Sequence, residues 1–259
     1  MDALDSEPLL KADGLAVRYG DEPALADISL TVRRGEIWAL VGPNACGKST
    51  LLRALAFVSQ GEVAGRVAYA RVDAPLARQR AFVPQRPELA AAYTARDVVA
   101  LGRFSVGADS AAVDRALAEV GLLARADRMH HELSGGERQR VALARAFAQV
   151  DAGGVLLLDE PFAAVDPAEV ARIAAALAVR ARNGAIVLSL HDPGLARAIA
   201  THALVLRAGR ALAQGPAADV LRADLLSEAY GHPMRELVGA DGRASWVVPQ
   251  LAPRDAASR

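Results

Sequence analysis

The chain has little sulfur and no surplus of charge. Cys46 is the single cysteine among 259 residues, which excludes an internal disulfide and suits a reducing compartment. Basic residues number 30 and acidic residues 30, so no electrostatic case arises for nucleic acid or an anionic membrane surface as a partner. No stretch approaches the roughly 18 continuous apolar residues of a membrane span. The longest apolar runs, such as residues 155–158, have strand length. The opening MDALDSEPLL is acidic and lacks the basic start and apolar run of a secretory signal. Internal repeats are also lacking. What is present is alanine dispersed among arginines, the texture of amphipathic helices, in a chain long enough to bury a sizeable core. These features lead to the expectation of a soluble, cytoplasmic α/β protein.

Local patterns organise the chain. Residues 15–19 and 28–32 read as antiparallel strands joined by a turn at 20–23. Residues 37–41 form a short apolar run ending at a glycine, and a helical pattern starts at Lys48: strand, loop, helix. Residues 67–72 and 81–83 read as further short strands. Thr94 opens a helix with capping-box spacing to Asp97, and residues 111–123 are helical. Residues 155–158 and 186–190 read as buried parallel strands. Between them, Asp166-Pro167-Ala168-Glu169 has the signs of a helix start, with Asp166 as the cap. Residues 202–212 read as a hairpin turning near Gly209. The pattern weakens after Tyr230, and residues 252–259 read as a frayed tail. The resulting picture is a βαβ core with a helical insert.

Two motifs carry chemistry without any appeal to a family. Gly42-Pro43-Asn44-Ala45-Cys46-Gly47-Lys48-Ser49-Thr50 fits G-x-x-x-x-G-K-[ST] in full. Glycines let backbone N–H groups wrap a β-phosphate, and the following helix points its positive end at it. Lys48 then reaches the β/γ oxygens, and Ser49 supplies a hydroxyl to Mg²⁺. Cys46 reads as a small residue filling a loop position. The second motif is Asp159-Glu160 at the C-terminal end of an apolar strand, where open α/β sheets hold their ligands. Asp159 suits orientation of Mg²⁺ through water, and Glu160 suits polarisation of an attacking water as general base.

A third motif, Leu133-Ser134-Gly135-Gly136-Glu137-Arg138-Gln139-Arg140, precedes a helix running to about Gln149. Ser134 and Glu137 make a capping box. The two glycines after the cap cost helix stability, and their use is to let a ligand approach the positive helix end. This octapeptide resembles the signature of the ATP-binding-cassette ATPases. The motifs also follow that family's order: Tyr19, the phosphate loop, Gln85, the signature, Asp159-Glu160, Asp166, and His191 after a strand. The resemblance covers roughly residues 10–230.

The resemblance implies a P-loop NTPase core of ABC type with an antiparallel β subdomain and an inserted α-helical subdomain. Residues 1–85 would hold the β subdomain and the first part of the core, 86–133 the helical subdomain, 134–235 the second part of the core, and 236–259 a tail. Two such subunits sandwich two ATP molecules head to tail, so Ser134, Gly135 and Gly136 would act on the γ-phosphate held by a second copy. Tyr19 would stack on adenine. Gln85 would sense Mg²⁺ and the attacking water, His191 would contact the γ-phosphate, and Asp166 would lie at the interface between copies.

Ala45 stands where the family commonly has glycine, and Cys46 where alanine is common; position 45 then needs a conformation open to a Cβ. Transmembrane permease subunits would dock on the insert, placing the chain at the cytoplasmic face of the membrane, with a substrate-binding protein as an indirect partner. Residues 94–103 and 229–237 resemble the ATPases of iron-siderophore, haem and cobalamin importers. Another transport substrate, including a metal ion, or an exporter is the alternative. A soluble cassette protein working on DNA or ribosomes fits less well, since such proteins usually carry two cassettes or a long coiled coil.

Overall fold

The computed structural model describes residues 8–70, 74–87, 92–150, 152–163, 165–238 and 244–249. Strands β1 (Pro8–Tyr19) and β2 (Glu22–Arg33) form a hairpin turning at Gly20-Asp21, and both run well beyond their predicted extents. Strand β3 (Ile37–Val41) leads through the phosphate loop into helix α1 (Lys48–Leu55). Strand β4 (Glu62–Tyr69) pairs with β1, giving an antiparallel sheet in the order β2-β1-β4. It starts earlier than the predicted 67–72 strand, and residues 71–72 lie outside the described residues. A short helix α2 (Leu76–Gln79) precedes β5 (Arg80–Val83).

The insert follows, with residues 88–91 outside the described residues. Helix α3 (Ala95–Leu101) begins at the capping box predicted for Thr94, whose side chain accepts from the Asp97 amide. Helix α4 (Ser110–Glu119) ends sooner than the expected 123, because Gly121 turns into the left-handed region at φ 70°. Helix α5 (Gly135–Gln149) then returns the chain to β6 (Val155–Asp159).

Helix α6 (Pro167–Ala181), strand β7 (Ala185–Ser189), helix α7 (Pro193–Ile199) and the antiparallel pair β8 (His202–Arg207) and β9 (Arg210–Pro216) complete the main sheet. Its order is β5-β6-β7-β3-β8-β9, and its strands are parallel except β9. Helices α8 (Ala217–Val220) and α9 (Ala223–Tyr230) precede a hairpin of β10 (Met234–Val238) and β11 (Ala244–Pro249). That hairpin lies where the sequence pattern weakens and a tail was expected; residues 252–259 lie outside the described residues.

Period-2 alternation explains the layering. In β6, Val155 and Leu157 face the antiparallel sheet and α1, whereas Leu156 and Leu158 face a core that includes α5 and α6. Every residue of β3, β6 and β7 is buried, as strands covered on both faces must be. The insert is tied to the main body by Arg180, which donates to both Glu119 oxygens at 2.7 and 2.9 Å. Arg140 adds a bond to Glu169 at 2.9 Å and one to the Val120 carbonyl at 3.0 Å. Bidentate and multiply bonded arginines of this kind fix geometry as well as adding energy.

Candidate functional site

The carboxyl ends of β3, β6 and β7 open on one cleft of ≈ 690 Å³, and the phosphate loop forms its floor. Two glycines in that loop are demanded by sterics. At Gly42 a Cβ would lie 2.2 Å from the Leu206 carbonyl oxygen, and at Gly47 2.6 Å from the Leu25 side chain, both at positive φ. Ala45 also has a positive φ, 61°. The loop thus holds position 45 in the small left-handed region that admits a Cβ, at a steric cost that glycine would not bear. Cys46 is buried, as a filler should be, and burial pushes its thiol pKa up against the opposing pull of Lys48. Lys48 is buried too, its ammonium donating to the Gly42 and Pro43 carbonyls at 2.8 and 3.0 Å.

The strand-end acids meet the loop directly. The Ser49 hydroxyl donates to Asp159 Oδ1 at 3.0 Å. Asp159 is 1% exposed, and its other oxygen, Oδ2, is buried without a hydrogen-bond partner among the described residues. Glu160 turns the chain at φ 50°, a strained value for a non-glycine residue and one that collects at functional sites. Both of its carboxylate oxygens are engaged, Oε2 accepting from Gln85 Nε2 at 2.6 Å and Oε1 paired with His191 Nε2. Tyr19, 39% exposed, lines the same cleft.

The remaining predicted residues lie elsewhere. Ser134, Gly135, Gly136 and Asp166 do not line the cleft. Ser134 caps α5 and Glu137 closes the capping box, as expected. Gly135 is exposed, has no positive φ, and a Cβ there would meet nothing within 4 Å. Asp166 sits at the N-cap of α6 but makes no side-chain cap bond, contrary to its reading as a capping residue. Pro167 at the first turn presets the backbone, and the Asp166 carboxylate stays in solvent.

Sequence reasoning missed two parts of the site. Ser189, fully buried at the end of β7, contacts both strand-end acids. The Ala208-Gly209 turn between β8 and β9 forms a wall of the cleft, with the Gly209 N–H donating to the Cys46 carbonyl at 3.1 Å. A lone polar residue ending an otherwise apolar strand was the available signal for Ser189.

Residues 25–163 match the family model described as ABC transporter. The chain belongs to the ABC transporter family. It is accordingly an ATPase, the ATP-hydrolysing subunit of a transport system whose membrane pathway is carried by permease components. Among the described residues no helix is long and apolar enough to cross a membrane. Curated relatives include the hemin import ATP-binding protein HmuV of Rhodococcus jostii, 41% identical over 93% of this chain and 86% of that protein. The protein of the same name from Streptomyces coelicolor is 41% identical over 97% of this chain and 93% of its own length. Among solved structures, a metal-chelate type ABC transporter in an inward-facing conformation superposes with a TM-score of 0.80 at 27% identity, covering 95% of this chain and 98% of that one. A bacterial Atm1-family ABC exporter with ATP bound reaches 0.73 at 28% identity, over 86% of this chain and 41% of its own. The ATPase fold is thus shared by importers and exporters.

Proposed function

We propose that this ABC ATPase powers import of haem or a related iron chelate, working as two copies that enclose two ATP molecules. The names of its relatives support the cargo, and the separation of two half-sites supports the pair. The observation that carries the pair is Gly135. Neither backbone conformation nor packing among the described residues requires glycine there, so the space above it serves a body arriving from outside.

In this reading the loop from Gly42 to Thr50 wraps the phosphates through its amides, and Lys48 leaves its loop carbonyls for the β/γ oxygens. Tyr19 offers its ring to adenine. Glu160 takes a proton from the attacking water once Gln85 and His191 release its oxygens, and His191 then holds the γ-phosphate. Ser134, Gly135 and Gly136 present the positive end of α5 to the γ-phosphate on the second copy, and Asp166 lies at the seam.

Mg²⁺ fits the donors present. Ser49 and Asp159 are hard oxygen ligands, Asp159 Oδ2 lacks a partner, and no group of three or more His, Cys, Asp or Glu among the described residues offers an all-protein cage. That is the sparse set Mg²⁺ uses beside phosphates and water. The ion supplies charge neutralisation at the transferred phosphoryl group. Gln85 stands within reach of the same centre through Glu160.

The insert, residues 86–133, is the docking subdomain for permease subunits, between core segments 1–85 and 134–235; Phe104, 89% exposed on it, supports this use. The chain then sits at the cytoplasmic face of the membrane, held there by the permease, with a substrate-binding protein acting at one remove. Reconstitution with its permease in liposomes tests the reading. Haemin should accumulate only with ATP, and Lys48→Ala should abolish it. Accumulation of a different cargo without haemin overturns the substrate, and undiminished turnover in Lys48→Ala overturns the site.

A further inference from the structure

Ser189 is paired across β6 and β7 with Asp159 in the strand register, and it is 0% exposed. Its hydroxyl donates to Asp159 Oδ1 at 2.7 Å and accepts the Glu160 N–H at 2.9 Å. These roles follow from the proton inventory: a carboxylate only accepts, an amide N–H only donates, and a serine carries one proton. Ser49 donates to the same Oδ1 at 3.0 Å. Oδ1 therefore receives two hydroxyls, and Oδ2 receives none from the described residues. The carboxylate has one oxygen pinned to the protein and one left over.

We infer that Ser189 is a positioning residue for ATP hydrolysis, orienting the Asp159 carboxylate and holding the strained Glu160 backbone through one hydroxyl. The inference rests on the roles given above to Asp159 and Glu160. The φ of 50° at Glu160 needs support from its surroundings, and the Ser189 oxygen bonds the amide of that very residue. Loss of the hydroxyl frees the carboxylate to rotate and the Glu160 backbone to relax. Removing a hydrogen bond to a charged group corresponds to about a tenfold to hundredfold change.

The experiment compares Ser189→Ala, Ser189→Thr, Asp159→Asn and Glu160→Gln in the full chain. ATP affinity is measured without metal and with Mg²⁺, alongside thermal melting and steady-state turnover. For Ser189→Ala the expected result is metal-free ATP affinity within about twofold of the parent, a smaller gain in affinity on adding Mg²⁺ with a matching rise in the KM for Mg·ATP, and kcat lowered about tenfold to hundredfold. Ser189→Thr, which keeps the hydroxyl, should recover most of the Mg²⁺ response. Unchanged kcat and Mg²⁺ response in Ser189→Ala overturn the inference while Asp159→Asn and Glu160→Gln remain impaired. A loss of metal-free ATP affinity equal to the loss with Mg²⁺ also overturns it, because that pattern belongs to a general packing role. Retained turnover in Asp159→Asn and Glu160→Gln instead removes the reading of the acids themselves.

Discussion

The cleft and the signature differ in how their polar groups are spent. In the cleft they bind one another: Lys48 holds loop carbonyls, Ser49 and Ser189 hold Asp159, and Gln85 and His191 hold Glu160. At the N-terminus of α5 the capping box and an Arg125–Glu137 ion pair are internal, and Gly135 faces open space. The cleft is thus shaped by bonds within its own chain. The glycine at position 135 answers to no packing demand from the described residues. The contrast accords with one chain carrying two complementary halves of a site.

The largest break in that contrast comes at Glu160. Glu160→Gln keeps the shape and the contact with Gln85 but removes the base, so turnover should fall by about 10²- to 10⁴-fold while ATP still binds. The ATP-bound pair should then accumulate in sizing experiments; undiminished steady-state hydrolysis rules Glu160 out as the base. On the convex side, Gly135→Asp separates folding from function. A carboxylate in the first turn of α5 favours the helix by about 0.3–1 kcal/mol, so the melting temperature should not drop. The same charge opposes a phosphate arriving from the second copy, so turnover should fall by about tenfold or more, with ATP affinity of the single copy unchanged. A parallel loss of affinity and turnover would place Gly135 in the chain's own cleft.

The two regions were also unequally legible. The phosphate loop, the Asp159-Glu160 pair and the α5 cap are contiguous motifs whose spacing is set by backbone geometry, so the linear sequence displays them. The parallel strands were legible for a related reason: burial on both faces writes an unbroken apolar run. Ser189 acquires its partners only through the register of β6 on β7, which a single strand does not reveal. The same holds for the Ala208-Gly209 wall, brought to the loop by the packing of β8 beside β3. Asp166 erred in the other direction: its helix-start pattern was right, yet Pro167 presets that turn and the side chain stays free. The β10–β11 hairpin went unforeseen because the sequence pattern weakens after Tyr230.

A smaller effect is expected at Cys46. Its thiol is buried and its pKa is raised by that burial, so native protein at neutral pH should react slowly with an alkylating reagent and the unfolded chain quickly. Cys46→Ala should cost about 1 kcal/mol of stability, a small cavity, and change turnover less than twofold. Rapid alkylation of the native chain, or a large loss of turnover, would give the thiol a role beyond filling space.

The smallest effect is also the one with reversed sign. Ala45 occupies the left-handed region at φ 61°, and it is exposed, so no buried methyl is lost on its removal. Ala45→Gly relieves about 1–2 kcal/mol of steric cost and gives back about 0.4–1 kcal/mol through the more flexible unfolded chain. The balance is a gain of about 0.5 kcal/mol, or about 1–2 °C in melting temperature for a chain of this size. Gly42→Ala, three residues earlier, must do the opposite, because its Cβ would meet the Leu206 carbonyl oxygen at 2.2 Å. Melting curves of the two variants side by side test whether the loop is held in this shape by the fold around it. If Ala45→Gly instead destabilises the chain, position 45 does not keep its left-handed turn in solution, and the loop takes its nucleotide-ready form only when ATP arrives.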